Sequence, residues 1–250
     1  MKRLIFFAFV LFLPFSAAFA QSPFAGTIDL NQYTVDESGN ENLTGTLTMM
    51  LNADRIYLSS IGGVDAVEEF TRTSMNHALI RHDHRDILLF GDDEQALKIN
   101  REELQALVNM LDNLQEQLEE GQEHYEGLRF NETGEQDQIE GYQATKWEVT
   151  GREGDSYHVW LTDEISVNWG LLAEDWMMQM AGSENLPVQE WLQDGQTPLV
   201  VKHFEQDKLT SVMKIENINP GNVDQAKLET PENKEILTFQ QIMMRRFQGN

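Results

Sequence analysis

Cysteine is absent from the 250 residues, which excludes disulfides, thiolate metal ligands and a thiol nucleophile. Cations are scarce: 18 Lys and Arg stand against 42 Asp and Glu, a formal net charge of −24. So few cations spread among so many acids cannot build the basic footprint that releases counterions from a polyanion, and nucleic acid is excluded as a partner. No low-complexity linker interrupts the chain, so a single domain is expected. Beyond residue 13 no apolar run approaches the roughly 20 residues that a membrane-spanning helix needs. What is present is 40% hydrophobic residues, enough to bury a core.

The N-terminus has a signal-peptide pattern. Lys2 and Arg3 precede the apolar run Leu4 to Leu13, and Ala18-Phe19-Ala20 has the A-x-A form read by a signal peptidase. The expected division is a signal peptide over 1–20, cleaved between Ala20 and Gln21, and one domain over 21–250. Loss of Lys2 and Arg3 makes the mature chain more negative still. With no cysteine to be lipidated, no stable membrane anchor is expected after cleavage, and a periplasmic or secreted location follows.

Period-two alternation predicts strands through the first hundred residues. Leu43, Leu47, Met49 and Leu51 share one face, and Thr44, Thr46 and Thr48 the other, as expected where one face is wet. Further short strands are predicted at Ala78 to Arg81, Ile87 to Phe90 and Ala96 to Ile99. The period then lengthens. Leu104, Leu107, Val108, Leu111, Leu114 and Leu118 describe an amphipathic helix capped at Asn100. Strands resume at Leu128 to Thr133, Ile139 to Val149, Tyr157 to Leu161, Leu199 to Phe204 and Leu209 to Ile218, and a short Met-rich helix covers Thr238 to Phe247.

A second helix is predicted over Trp169 to Ala181, with Trp169, Leu172, Trp176 and Met180 in one stripe and Met177 widening it. The plain reading is a buried helix; the sharper one is a lid over an apolar cavity, since Met and Trp adapt to irregular apolar ligands. These five residues are the candidate ligand-binding set. His82 and His84, with Asp83 and Asp86, are the one candidate metal site: on a strand, side chains at i and i+2 point the same way, and imidazole with carboxylate suits zinc. Turn chemistry explains the same residues without a metal. No nucleophile elbow or phosphate loop is present, so no enzyme activity and no cofactor are expected.

Two stretches carry a resemblance. Ile139-Glu140-Gly141-Tyr142-Gln143-Ala144-Thr145-Lys146-Trp147-Glu148-Val149 resembles the I-x-G-Y-x-C-x-K-Y-x-V stretch of a family of exported bacterial proteins known only as a domain of unknown function. Thr230-Pro231-Glu232-Asn233-Lys234-Glu235, followed by a terminal helix, is similar to that family's close. Ala144 stands where the family often has Cys, and Glu232-Asn233 replaces its Gly-Tyr. The resemblance implies a fold like the LolA and LolB lipoprotein carriers: α+β, a strongly curved antiparallel sheet forming a half-open barrel, with covering helices. The function expected is that of a non-enzymatic exported protein holding an apolar ligand or lipid chain. Two alternatives stand beside it: an envelope module that docks an unidentified protein and has a filled core, and a metal-dependent hydrolase at His82 and His84.

Overall fold

A computed structural model describes residues 23–60, 75–103, 129–151, 155–174 and 188–248. Among the described residues, alternating apolar residues broken by short polar turns give twelve strands. They are β1 (Gly26–Val35), β2 (Glu41–Leu51), β3 (Arg55–Ser59), β4 (His77–Arg81), β5 (Asp86–Phe90), β6 (Gln95–Asn100), β7 (Arg129–Ile139), β8 (Tyr142–Thr150), β9 (Asp155–Thr162), β10 (Thr197–Glu205), β11 (Lys208–Pro220) and β12 (Glu235–Thr238). The helices are α1 (Val188–Gln193), α2 (Gln225–Leu228) and α3 (Phe239–Gln248). Residues 101–103 are also helical, and Asn100 Oδ1 accepts from the Glu103 N–H at 2.8 Å, the cap expected there. The rest of the helix expected over residues 104–118 lies outside the described residues, as do the expected leader and the cleavage expected between Ala20 and Gln21.

All twelve strands join one open sheet in the order β12-β6-β5-β4-β3-β2-β1-β11-β10-β9-β8-β7. Pairing is antiparallel throughout except for β12, which lies parallel to β6. The two halves meet where β1 pairs with β11. Gly26 is required at that seam, because a Cβ there would fall 2.4 Å from the Asn219 carbonyl oxygen.

Apolar clusters form on both faces of the sheet. Ile28, Met49, Leu51, Ile56, Ala78, Ile80 and Ile87 turn to one face and pack with Ile165, Val167, Trp169 and Leu171 from the segment after β9. Met50, Tyr57, Leu79, Leu88, Phe90 and Ala96 turn to the other, under Leu228 of α2. The wet face expected of β2 therefore holds at Thr44 and Thr46 but not at Met50, which is buried. Leu43 is also corrected: it lies beyond a β-bulge, where the register jumps between Gln32 and Tyr33 opposite, and is 58% exposed.

Residues 221–234 strap the second face. Leu228 is 1% exposed, a burial worth about 2 kcal/mol. Arg81 holds Asp86 through two hydrogen bonds of 2.7 Å and donates a third, also 2.7 Å, to Thr230 Oγ1. Arg55 donates to the Leu228 carbonyl at 2.7 Å, and Lys234 to the Gly91 carbonyl at 2.7 Å. Beyond the strap, β12 and α3 enclose a further cluster of Leu97, Leu237, Phe239 and Ile242. Helix α3 bears out the helix expected at the C-terminus, whereas β12 had no counterpart in the sequence expectations.

Candidate functional site

The segment after β9 defines the site. Residues 165, 167, 169, 171 and 173 are all buried, so Ile165, Val167, Trp169, Leu171 and Ala173 anchor it to the apolar face. Polar contacts pin it between the anchors. The Phe24 N–H donates to the Ser166 carbonyl at 2.6 Å, Asn168 Nδ2 to the Ala53 carbonyl at 2.6 Å, and Trp169 Nε1 to the Gln196 carbonyl at 3.0 Å. Arg85 Nη2 donates to Glu174 Oε1 at 2.8 Å.

The helix expected over Trp169 to Ala181 is corrected at its start. Gly170–Ala173 forms a single 3-10 turn, and the backbone at Glu174 is extended, with φ −74° and ψ 144°. Leu171, which is not in the predicted stripe, is 4% exposed, whereas Leu172, which is, is only half-buried against the same cluster. Of the candidate ligand-binding residues, Trp169 lines a cavity; Trp176, Met177 and Met180 lie outside the described residues.

His82 explains how the turn is held. The Leu171 N–H donates to His82 Nδ1 at 3.1 Å, and a Cβ on Gly170 would fall 2.7 Å from the same nitrogen, so glycine at φ +33° is needed for the turn to press this close. An accepting Nδ1 places the proton of the neutral ring on Nε2. Burial pushes the His82 pKa below the ordinary histidine value; the Asn168 backbone and the carboxylates of Asp54, Asp83 and Glu174 oppose that shift. The strand placement behind the metal reading is corrected here. His82 and His84 sit in the turn joining β4 to β5 rather than on a strand, so the i, i+2 rule does not apply. One His82 nitrogen is taken by the Leu171 N–H, and His84 Nε2 lies 3.5 Å from the Asp83 carboxylate. Among the described residues no group of three His, Cys, Asp or Glu side chains is placed to hold a metal ion.

Two hollows flank the turn. The larger, about 580 Å³, is walled by Val167, Trp169, Ala173 and Leu192, with Asn168 and Arg101 among its polar groups. The smaller, about 330 Å³, is lined by His84, Arg85, Arg101, Leu171 and Glu174 among others. Arg101 and Glu174 line both. The larger hollow has the volume of a small-molecule site, for which the usual range is roughly 300–1,000 Å³. The sequence signalled Trp169 but missed Arg101, Leu192 and the role of His82, which no local pattern connects.

Residues 36–234 match the family described as Domain of unknown function (DUF4412), as the two motif stretches led one to expect. No curated protein matches the chain. Several solved structures are similar. PNGF-II shares 15% identity at a TM-score of 0.43, over 86% of this chain and 31% of its own, so the chain spans about a third of that protein's length. An uncharacterized conserved protein from Thermus thermophilus shares 8% identity at a TM-score of 0.40, covering 86% of this chain and 91% of that one. MucB from a Pseudomonas aeruginosa MucA/MucB complex shares 9% identity at a TM-score of 0.35, covering 85% and 58%.

Proposed function

We propose that this chain, which belongs to the DUF4412 family, is a non-enzymatic binding protein of the bacterial envelope that holds an apolar or amphipathic ligand, such as a lipid chain, beside residues 166–174. The observation that carries the reading is the hollow of about 580 Å³ walled by Val167, Trp169, Ala173 and Leu192. Arg101, Asn168, Gln193 and Asp194 share its lining, and a concave site of that volume that offers both apolar and polar surface can take a small amphipathic ligand. The 3-10 turn beside it is held in place: the Leu171 N–H donates to His82, Trp169 donates to the Gln196 carbonyl and Arg85 pairs with Glu174. The leader pattern of residues 1–20 supports export to the periplasm, and the motif resemblance supports a curved, half-open sheet closed by helices. A chain this acidic does not spread on anionic lipid, so a lipid ligand is received inside the protein.

The test is to purify the protein from its native envelope, extract lipid for mass spectrometry, and displace a fluorescent fatty acid from the purified protein. Bound lipid and saturable displacement are expected. Leu192→Arg, which puts a charge into the half-buried wall, should abolish displacement while the thermal transition is retained. Absence of both lipid and displacement overturns the reading and leaves protein docking as the alternative.

A further inference from the structure

We infer that His82 is a proton-operated latch: the neutral ring holds the 3-10 turn Gly170–Ala173 against the turn between β4 and β5, and protonation in mild acid frees it. The latch does not depend on what the neighbouring hollow binds. Its ground is the direction of one hydrogen bond. The Leu171 N–H donates to His82 Nδ1 at 3.1 Å, and a backbone N–H can only donate, so the bond exists only while Nδ1 keeps its lone pair. Protonation makes Nδ1 a second donor aimed at the first. A hydroxyl could reverse its role; an amide cannot. Space is as short as acceptors, because the Gly170 main chain presses so close that a Cβ there would fall 2.7 Å from Nδ1 and 2.9 Å from Cε1. The other ring nitrogen, Nε2, is buried and makes no hydrogen bond of ordinary geometry among the described residues, so a charged ring gains nothing on that side.

The charges that face the ring do not cancel this. Asp54 in the β2–β3 turn, Asp83 next to the ring and Glu174 at the end of the 3-10 turn favour an imidazolium, as does the Asn168 backbone. Two of these carboxylates are already engaged: Asp83 accepts from Arg55 Nη2 at 2.9 Å and Glu174 from Arg85 Nη2 at 2.8 Å. The two arginines, and His84 at 3.5 Å from Asp83, bring positive charge to the same turn. Burial prevails and keeps the ring neutral to a lower pH than an exposed histidine, so the latch holds above about pH 6.5 and is lost as pH falls through the lowered value. Release is local. Ile165, Val167 and Trp169 remain buried on the sheet, and the Trp169 Nε1 bond to the Gln196 carbonyl does not involve the ring. Gly170, Ala173 and Glu174 line the larger hollow, whose shape therefore changes with the turn.

The experiment is nuclear magnetic resonance on the full mature chain between about pH 7.5 and 5, following the His82 ring and the exchange of the Leu171 amide with deuterated water, corrected for its intrinsic pH dependence. Leu171 protection should fall at least about tenfold, the scale of one lost hydrogen bond, with the same midpoint as the His82 titration. Amides of β1, held between β2 and β11, should stay protected. In His82→Gln the side-chain oxygen can accept the same bond at every pH, so Leu171 should remain protected throughout. Three results overturn the latch: Leu171 protection that is constant while His82 titrates, a ring that stays neutral until the whole chain unfolds, or a loss of protection at Leu171 that β1 shares. The same fall in His82→Gln would assign the proton to another group and overturn it too. Failure of the binding reading shows instead in the lipid measurements and leaves the latch standing.

Discussion

Asp86→Ala should be the most damaging single substitution on the strapped face. Arg81 and Asp86 face each other across the β4–β5 ladder and are joined by two hydrogen bonds of 2.7 Å. Their side chains are 7% and 9% exposed. Truncating the aspartate leaves a guanidinium buried with Thr230 Oγ1 for company, and orphaning one member of a buried ion pair costs about 3–5 kcal/mol. For a chain of this size each kcal/mol moves the melting temperature by about 2–4 °C, so a fall of about 6–20 °C is expected. Urea unfolding followed by far-ultraviolet circular dichroism measures the same loss as a lower midpoint at unchanged slope. The double variant Arg81→Met with Asp86→Leu removes both charges and should recover most of it, since a buried pair and a well-packed apolar pair differ little. Two results refute the reasoning: a cost below about 1 kcal/mol for Asp86→Ala, or a double variant no better than the single.

Three further outcomes are expected. Burial lowers the pKa of His82, and of His77 and His158 with it, so below about pH 6.5 the unfolded chain binds protons that the folded chain resists, and stability declines as pH falls through that window. His82→Gln should therefore lose less melting temperature than the parent between pH 7.5 and 5.5, and identical slopes would show that the imidazole is not held neutral. Gly170→Ala should cost about 1–3 kcal/mol in urea unfolding, because its Cβ would meet His82 Nδ1 at 2.7 Å at a backbone angle that disfavours side chains; an unchanged midpoint contradicts the contact. Leu43→Thr, at a 58% exposed position, should stay within about 0.5 kcal/mol of the parent, and a larger loss would mean that the residue is covered in solution.

Most of the sheet was legible because its strands are half-buried and alternate: Ile56 and Leu58 on one face with Tyr57 on the other, then Ala78 and Ile80 against Leu79. Where register breaks, local pattern fails. Gly134 reads as a turn, yet β7 passes through it at a bulge between Glu132 and Gln136, and the chain reverses at Glu140 and Gly141, whose φ values of 52° and 88° fit a two-residue hairpin. The segment at 165–173 misled in another way. Trp169 and Leu172 sit three apart and imitate a helix stripe, while the burial that decides the structure falls on alternate residues pressed to strands distant in the chain, from Ile28 to Ile87 and again at Leu199 and Ile215. The short parallel β12 and the bond from His82 to Leu171 depend wholly on such distant partners, and a window of sequence holds no record of them.

The seam between β1 and β11 also bears on the order in which the molecule can be assembled. Residues 26–34 wait for residues 211–220, and β12 can seal its edge only after residue 238 has emerged. A chain made from its N-terminus therefore carries an unfinished sheet until residue 238 has been made, and closing a contact across that much chain is slow. Connectivity thus sets an order: β11, which joins the two halves, and β12, which covers the β6 edge, are made after the other described strands.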